Sequence, residues 1–175
     1  MSRPVVKRLA ALTAVAAVVG GLVAFADWWS HPTLFRGVGF DLAYYGTVAV
    51  PNGQVSADIM VPFEDGAGAV ITLRSVAPNF AHDSARAAVT FTICDGNMVG
   101  LVVTPTTPDC TRVGGVPGRI DLRTSSHESL LMSVRAESRG EVRIKSITVS
   151  YREGVGNLWR QGTETLPITL AFKAR

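Results

Sequence analysis

Cysteine, histidine and tryptophan are scarce in this chain of 175 residues, with two, three and three copies, and aromatic residues make up only 7%. No G-x-S-x-G elbow, H-E-x-x-H pair or phosphate-cradling glycine loop ahead of a helix accompanies the histidines, so no catalytic motif of those classes is present. Acidic residues are absent from the first 26 positions, which hold Arg3, Lys7 and Arg8. The formal charge of +3 comes from these three, since residues 27–175 carry 14 basic and 14 acidic side chains. A domain with no net charge has no overall surplus of the kind that dominates nucleic-acid affinity, so nucleic-acid binding by a basic patch is not the expected reading. What is abundant is apolar: hydrophobic residues are 47% of the chain, alongside 17 Gly and 9 Pro, which excludes a solvated disordered chain and is enough for one core.

Positive residues at the start are followed by eighteen uncharged positions, Leu9 to Ala26, richest in Ala and Val and broken only by Thr13 and Gly20-Gly21. This is an export signal, and two fates are open. Ala24-Phe25-Ala26 fits the small-x-small cleavage pattern, with the glycine pair as a helix breaker upstream. Uncut, the run reaches about 27 Å, close to a hydrocarbon core of about 30 Å. Trp28 and Trp29 would then stand at the membrane interface, with the positive residues on the cytoplasmic side. The expected organisation is residues 1–26 as signal anchor or signal peptide, 27–50 as a juxtamembrane segment containing a candidate first strand, and 51–175 as the domain proper. Either fate puts residues 27–175 outside the cytoplasm.

Cys94 and Cys110 are the only cysteines, and in an exported chain two cysteines pair with each other. The bridge closes a loop of about 17 residues, for roughly 3 kcal/mol by the chain-entropy treatment. Neither follows the apolar run, so a lipid anchor is not indicated. No further Cys or His lies near them in sequence, and no metal or other cofactor is expected.

Beyond Trp29 the apolar period is two, the signature of half-buried strands. Strands are predicted at Val55–Val61, Ala69–Val76, Ala87–Cys94, Met98–Val103, Arg119–Leu122, Leu130–Glu137, Glu141–Arg152 and Leu166–Lys173. Asp95-Gly96-Asn97 reads as the turn of a hairpin returning through Met98–Val103, and Thr104–Gly118, with three prolines, as a long loop. The alternation slips at Lys145-Ser146, which predicts a β-bulge there. Seven to nine short strands in one domain argue for an all-β, antiparallel two-sheet Greek-key sandwich after one N-terminal apolar helix, with a partly open barrel as the alternative.

Residues that could carry chemistry mostly reduce to turns. His82-Asp83-Ser84 has triad residue types, but neighbours in an extended chain point to opposite faces, so Asp83 and Ser84 are read as capping a turn. Ser125-Ser126-His127-Glu128 is read as a polar loop. Glu64, Asp65, Asp95 and Asp109 fall in loops, without the spacing of a calcium site. Trp159 lies in Gly154–Gly162, taken as a loop between the last two strands and flanked by Arg152 and Arg160. It either tucks against the sandwich edge or, with those arginines, anchors a protein or glycan partner, because Trp and Arg dominate binding hot spots.

Ile147-Thr-Val-Ser-Tyr-Arg-Glu-Gly, a short linker, Trp159-Arg-Gln-Gly-Thr163 and a closing apolar strand together resemble the C-terminal end of uncharacterised exported β-sandwich proteins from high-GC Gram-positive bacteria. The whole plan also resembles the small single-pass proteins that accompany mycobacterial lipid transporters, whose cysteine pair lies nearer the C-terminus than Cys94 and Cys110 do. The expectation is a non-catalytic binding or accessory subunit, held in the bilayer through residues 9–26 at the outer face of the cytoplasmic membrane. Its partner would be a membrane protein or a cell-wall glycan. The alternative is a secreted carbohydrate- or wall-binding module.

Overall fold

The computed structural model describes residues 3–30, 35, 43–50, 53–60, 69–96, 101–104, 110, 112–123, 127–155 and 158–175. The chain forms two compact units, Met1–Pro32 and Thr33–Arg175.

The first unit is helix α1, Arg3–Ser30, 28 residues long. Pro4 falls in its first turn, where a missing N–H breaks no helical bond. The helix runs through Gly20-Gly21, expected to break it, and past Ala26 to Ser30. Each glycine costs only about 1 kcal/mol against Ala, which the surrounding Ala and Leu residues offset. Pro32 follows Ser30 two positions later in the sequence, and a proline disfavours helix at the residue before it. Val18, Leu22, Val23 and Phe25 are 62%, 63%, 64% and 52% exposed, so the helix has apolar side chains with no protein cover. Phe25, Trp28 and Trp29, spaced to share a face, gather with ring centroids 5.7 to 6.3 Å apart. Among the described residues no helix is long and apolar enough to cross a membrane. The described side chains of α1 begin at Ala16, and Ala16 to Trp29 rises only about 21 Å.

The second unit is the expected two-sheet sandwich, with ten strands among the described residues. They are β1 (Ala43–Val48), β2 (Gln54–Met60), β3 (Val70–Asp83), β4 (Ala87–Asp95), β5 (Leu101–Thr104), β6 (Arg112–Gly115), β7 (Gly118–Asp121), β8 (Glu128–Ala136), β9 (Gly140–Val155) and β10 (Leu158–Ala174). One sheet has the order β1-β10-β9-β3-β7 and the other β5-β2-β8-β4-β6. β2 and β3 lie in different sheets, as do β8 and β9, and β2 runs antiparallel to β8 while β3 runs antiparallel to β9. The described pairings are antiparallel except one. β1, the candidate first strand, lies parallel to β10 from Ala43↔Thr169 to Val48↔Ala174.

Three local expectations change. β5 does not return beside β4; it pairs with β2 at the far edge, because β4 is already flanked by β8 and by β6. The long loop contains β6, joined to β7 through a cis Val116–Pro117 peptide. The last two strands extend toward each other as one hairpin, with Leu158 opposite Val155, so the supposed loop around Trp159 is strand. The Glu64 and Asp65 region, Asp109 and Ser125-Ser126 lie outside the described residues.

The core follows from the alternation. Val55, Ala57 and Ile59 of β2, Leu130, Met132 and Val134 of β8, and Val142, Ile144, Ile147, Val149 and Tyr151 of β9 are at most 1% exposed. Phe35 joins them, 3% exposed and edge-on to the Tyr151 ring at 5.1 Å, which ties the segment before β1 into the sandwich. Pro78 and Pro167 sit where their strand has a neighbour on one side only, so the missing N–H can face the unpaired side. The other face of the second sheet is also buried at its centre. There Ser56 and Ser133 hydroxyls bond at 2.9 Å and Ser129 donates to the Asp58 carboxylate at 2.8 Å, which satisfies groups that would be costly unpaired. Cys94, opposite Ser129, is bonded to Cys110 across a Cα separation of 5.2 Å, so the predicted disulfide is present.

Candidate functional site

β9 carries the predicted bulge, and it is not isolated. Against β3, residues 79 and 80 oppose Ser146 and Ile144, leaving Lys145 as the extra residue. β3 shifts again one position on, with Ala81 extra between Phe80 and His82. β10 shifts at the same level, where Pro167 and Leu170 oppose Ser146 and Ile144 and leave Ile168-Thr169 between them. A bulge bends its strand and sharpens the local twist. Three on adjacent strands at one level crease the sheet, and Ala81, Lys145 and Thr169 all line a groove of about 550 Å³ at that crease.

The groove lies on the solvent face. Val142, Ile144, Leu170 and Phe172 point into the core, so the alternating residues Glu141, Arg143, Thr169, Ala171 and Lys173 face outward. Small residues keep the floor low: Gly46 of β1, Ala81 of β3 and Ala171 of β10. Three cations, Arg143, Lys145 and Lys173, stand against one carboxylate, Glu141. The Arg143 guanidinium donates to Glu141, and that hydrogen bond holds the Glu141 carboxyl below the usual range, with smaller contributions from the charges of Arg143, His82 and Lys173. The pair is internally neutral, and the two lysines give the groove its net charge. Its volume is that of a small-ligand site.

Arg152, Trp159 and Arg160, singled out from sequence, lie at the other end of the same sheet. Arg160 is committed: its Nη2 donates to Glu153 at 2.6 Å, with side chains only 15% and 12% exposed. The Arg160 guanidinium thus pairs with Glu153 within the hairpin. Arg152 opposes Gln161 across the hairpin, and Trp159 opposes Gly154; the Trp159 side chain lies outside the described residues. Trp28 and Trp29 belong to the helix, and Trp28 is 42% exposed. His82-Asp83-Ser84 makes the predicted turn. The Asp83 carboxylate accepts from the N–H of Ala85 at 3.1 Å and of Ala87 at 3.0 Å, and Ser84 Oγ accepts from the Glu141 N–H at 2.9 Å.

A second, more acidic cavity of about 330 Å³ lies near Asp95, Arg119, Asp121 and Glu128. Its carboxylates are engaged: Glu128 accepts from the Asp121 N–H at 2.6 Å, and Asp121 is gripped by Arg123, which holds its carboxyl below the ordinary value chiefly through the side-chain hydrogen bond. Among the described residues no group of three or more His, Cys, Asp or Glu is arranged to hold a metal ion.

The basic groove was not identified from the sequence, although two signals lay there. One is the slip at Lys145-Ser146. The other is that lysine occurs only three times, at Lys7, Lys145 and Lys173, so both lysines beyond the N-terminal helix meet in this groove. No family model, curated protein or solved structure matches the chain.

Proposed function

We propose that this is an exported, non-catalytic binding or accessory subunit, held at the outer face of the cytoplasmic membrane by residues 9–26. The observation that carries the reading is the helix that exposes Val18, Leu22, Val23 and Phe25 to solvent ahead of a separately folded sandwich. An apolar helix without protein cover needs a non-aqueous one. The uncharged run from Leu9 to Ala26 supplies the length that Ala16–Trp29 alone lacks. A disulfide between Cys94 and Cys110 suits an oxidising compartment. The sandwich, with its rigid sheets and a preformed groove, serves binding. Mild crosslinking of intact cells, followed by detergent extraction, should recover the chain with one membrane complex. Recovery solely as a free monomer in several detergents would remove the accessory role.

The second reading, a secreted wall- or glycan-binding module, is supported by Ala24-Phe25-Ala26 at the end of the run. It requires a chain beginning at Asp27 and released from the cell.

A further inference from the structure

Residues 27–175 carry no net charge, yet one face of the sandwich concentrates both of their lysines. β9 places Glu141, Arg143 and Lys145 outward at every second residue, and Lys173 stands opposite Glu141 on β10. At roughly 3.3 Å per residue, the three cations form a line about 13 Å long with steps of about 7 Å. The bulge keeps Lys145 on this face and widens the sheet beneath it. Elsewhere the chain relies on arginine, 14 against three lysines. A lysine ammonium is a compact point charge that can bind a phosphate oxygen, and an arginine fork binds carboxylate and phosphate alike.

We propose that the creased groove binds a linear phosphodiester polymer outside the cytoplasm, with Lys145 and Lys173 each neutralising a phosphate and Arg143 lying between them. Successive phosphates joined through a three-carbon polyol are about six bonds apart, or about 7 Å when extended, which matches the steps of the cation line. The floor of Gly46, Ala81 and Ala171 leaves room for the chain between the charges. This goes beyond the accessory role by naming a ligand chemistry for one face, and it does not depend on whether residues 9–26 are cut.

The test uses the full chain in neutral detergent and soluble poly(glycerol phosphate), with affinity measured by calorimetry at several salt concentrations. Binding should weaken with a log–log salt slope of about −1.4, two lysines at about −0.7 each. Lys145→Gln and Lys173→Gln should each lower affinity about fivefold and together about 25-fold, while the paired Lys→Arg replacements keep it. Thermal melts of the variants should match the wild type, since both side chains are exposed. Absence of binding, or binding indifferent to the double Gln variant, overturns the proposal. So does equal or tighter binding of poly-glutamate, or of micelles doped with phosphatidylglycerol, which would assign the face to an acidic protein or to lipid. None of these failures touches the anchor, which is read from chain mass and cell fraction.

Discussion

At the residue scale, two side chains show how local chemistry sets stability in this domain. Arg86 closes the turn between β3 and β4 with φ of 52°, a region where a Cβ is crowded against the following carbonyl. Asp83 holds the turn by accepting two backbone N–H bonds, so its geometry does not depend on the Arg86 side chain. Arg86→Gly is therefore expected to stabilise the fold by up to about 1 kcal/mol, read as a raised urea midpoint with an unchanged slope. Asp121 behaves as a pH sensor of stability. Arg123 lowers its pKa in the folded state, so the unfolded chain binds more protons in acid. The contribution is present above the unfolded value near 4 and is lost as pH falls through the lower folded value. Urea midpoints should fall as the pH drops below about 4, and Asp121→Asn should flatten that part of the profile. The Asp83 turn was readable from sequence, because an Asx cap is a local pattern. The Arg160–Glu153 pair was not, because it depends on a hairpin register that a two-residue change in strand end would alter.

At the scale of elements, the period-two alternation located most strands, but pairing partners were harder. β5 follows a turn that reads as a hairpin, yet it crosses to β2, since β6 arrives at the β4 edge with the cystine directly before it. That choice is made by tertiary competition for one strand edge and leaves no local trace. The Cys94–Cys110 bridge spans a sequence separation of 16 and holds the start of β6 against β4. Replacing both cysteines with serine should cost about 3 kcal/mol, and a reducing agent should lower the wild-type midpoint by a similar amount while leaving the double variant unmoved. The bulge at Lys145 was visible as a break in alternation. Its alignment with shifts in β3 and β10, which turns three irregularities into a groove, exists only once the strand order is known.

At the scale of the whole molecule, sequence and fold divide the work between two units. The helix exposes apolar side chains, and the sandwich has a closed core and a basic groove. Membrane attachment, export and disulfide formation are one claim about compartment, and the intact mass of the native, unreduced protein tests it directly. The chain is measured separately from detergent-solubilised membranes and from the medium. The account predicts the full-length mass of 18.6 kDa in the membrane fraction, lower by the two hydrogens lost to the bridge. A chain beginning at Asp27 in the medium, or a reduced full-length chain in the soluble cell fraction, would contradict it.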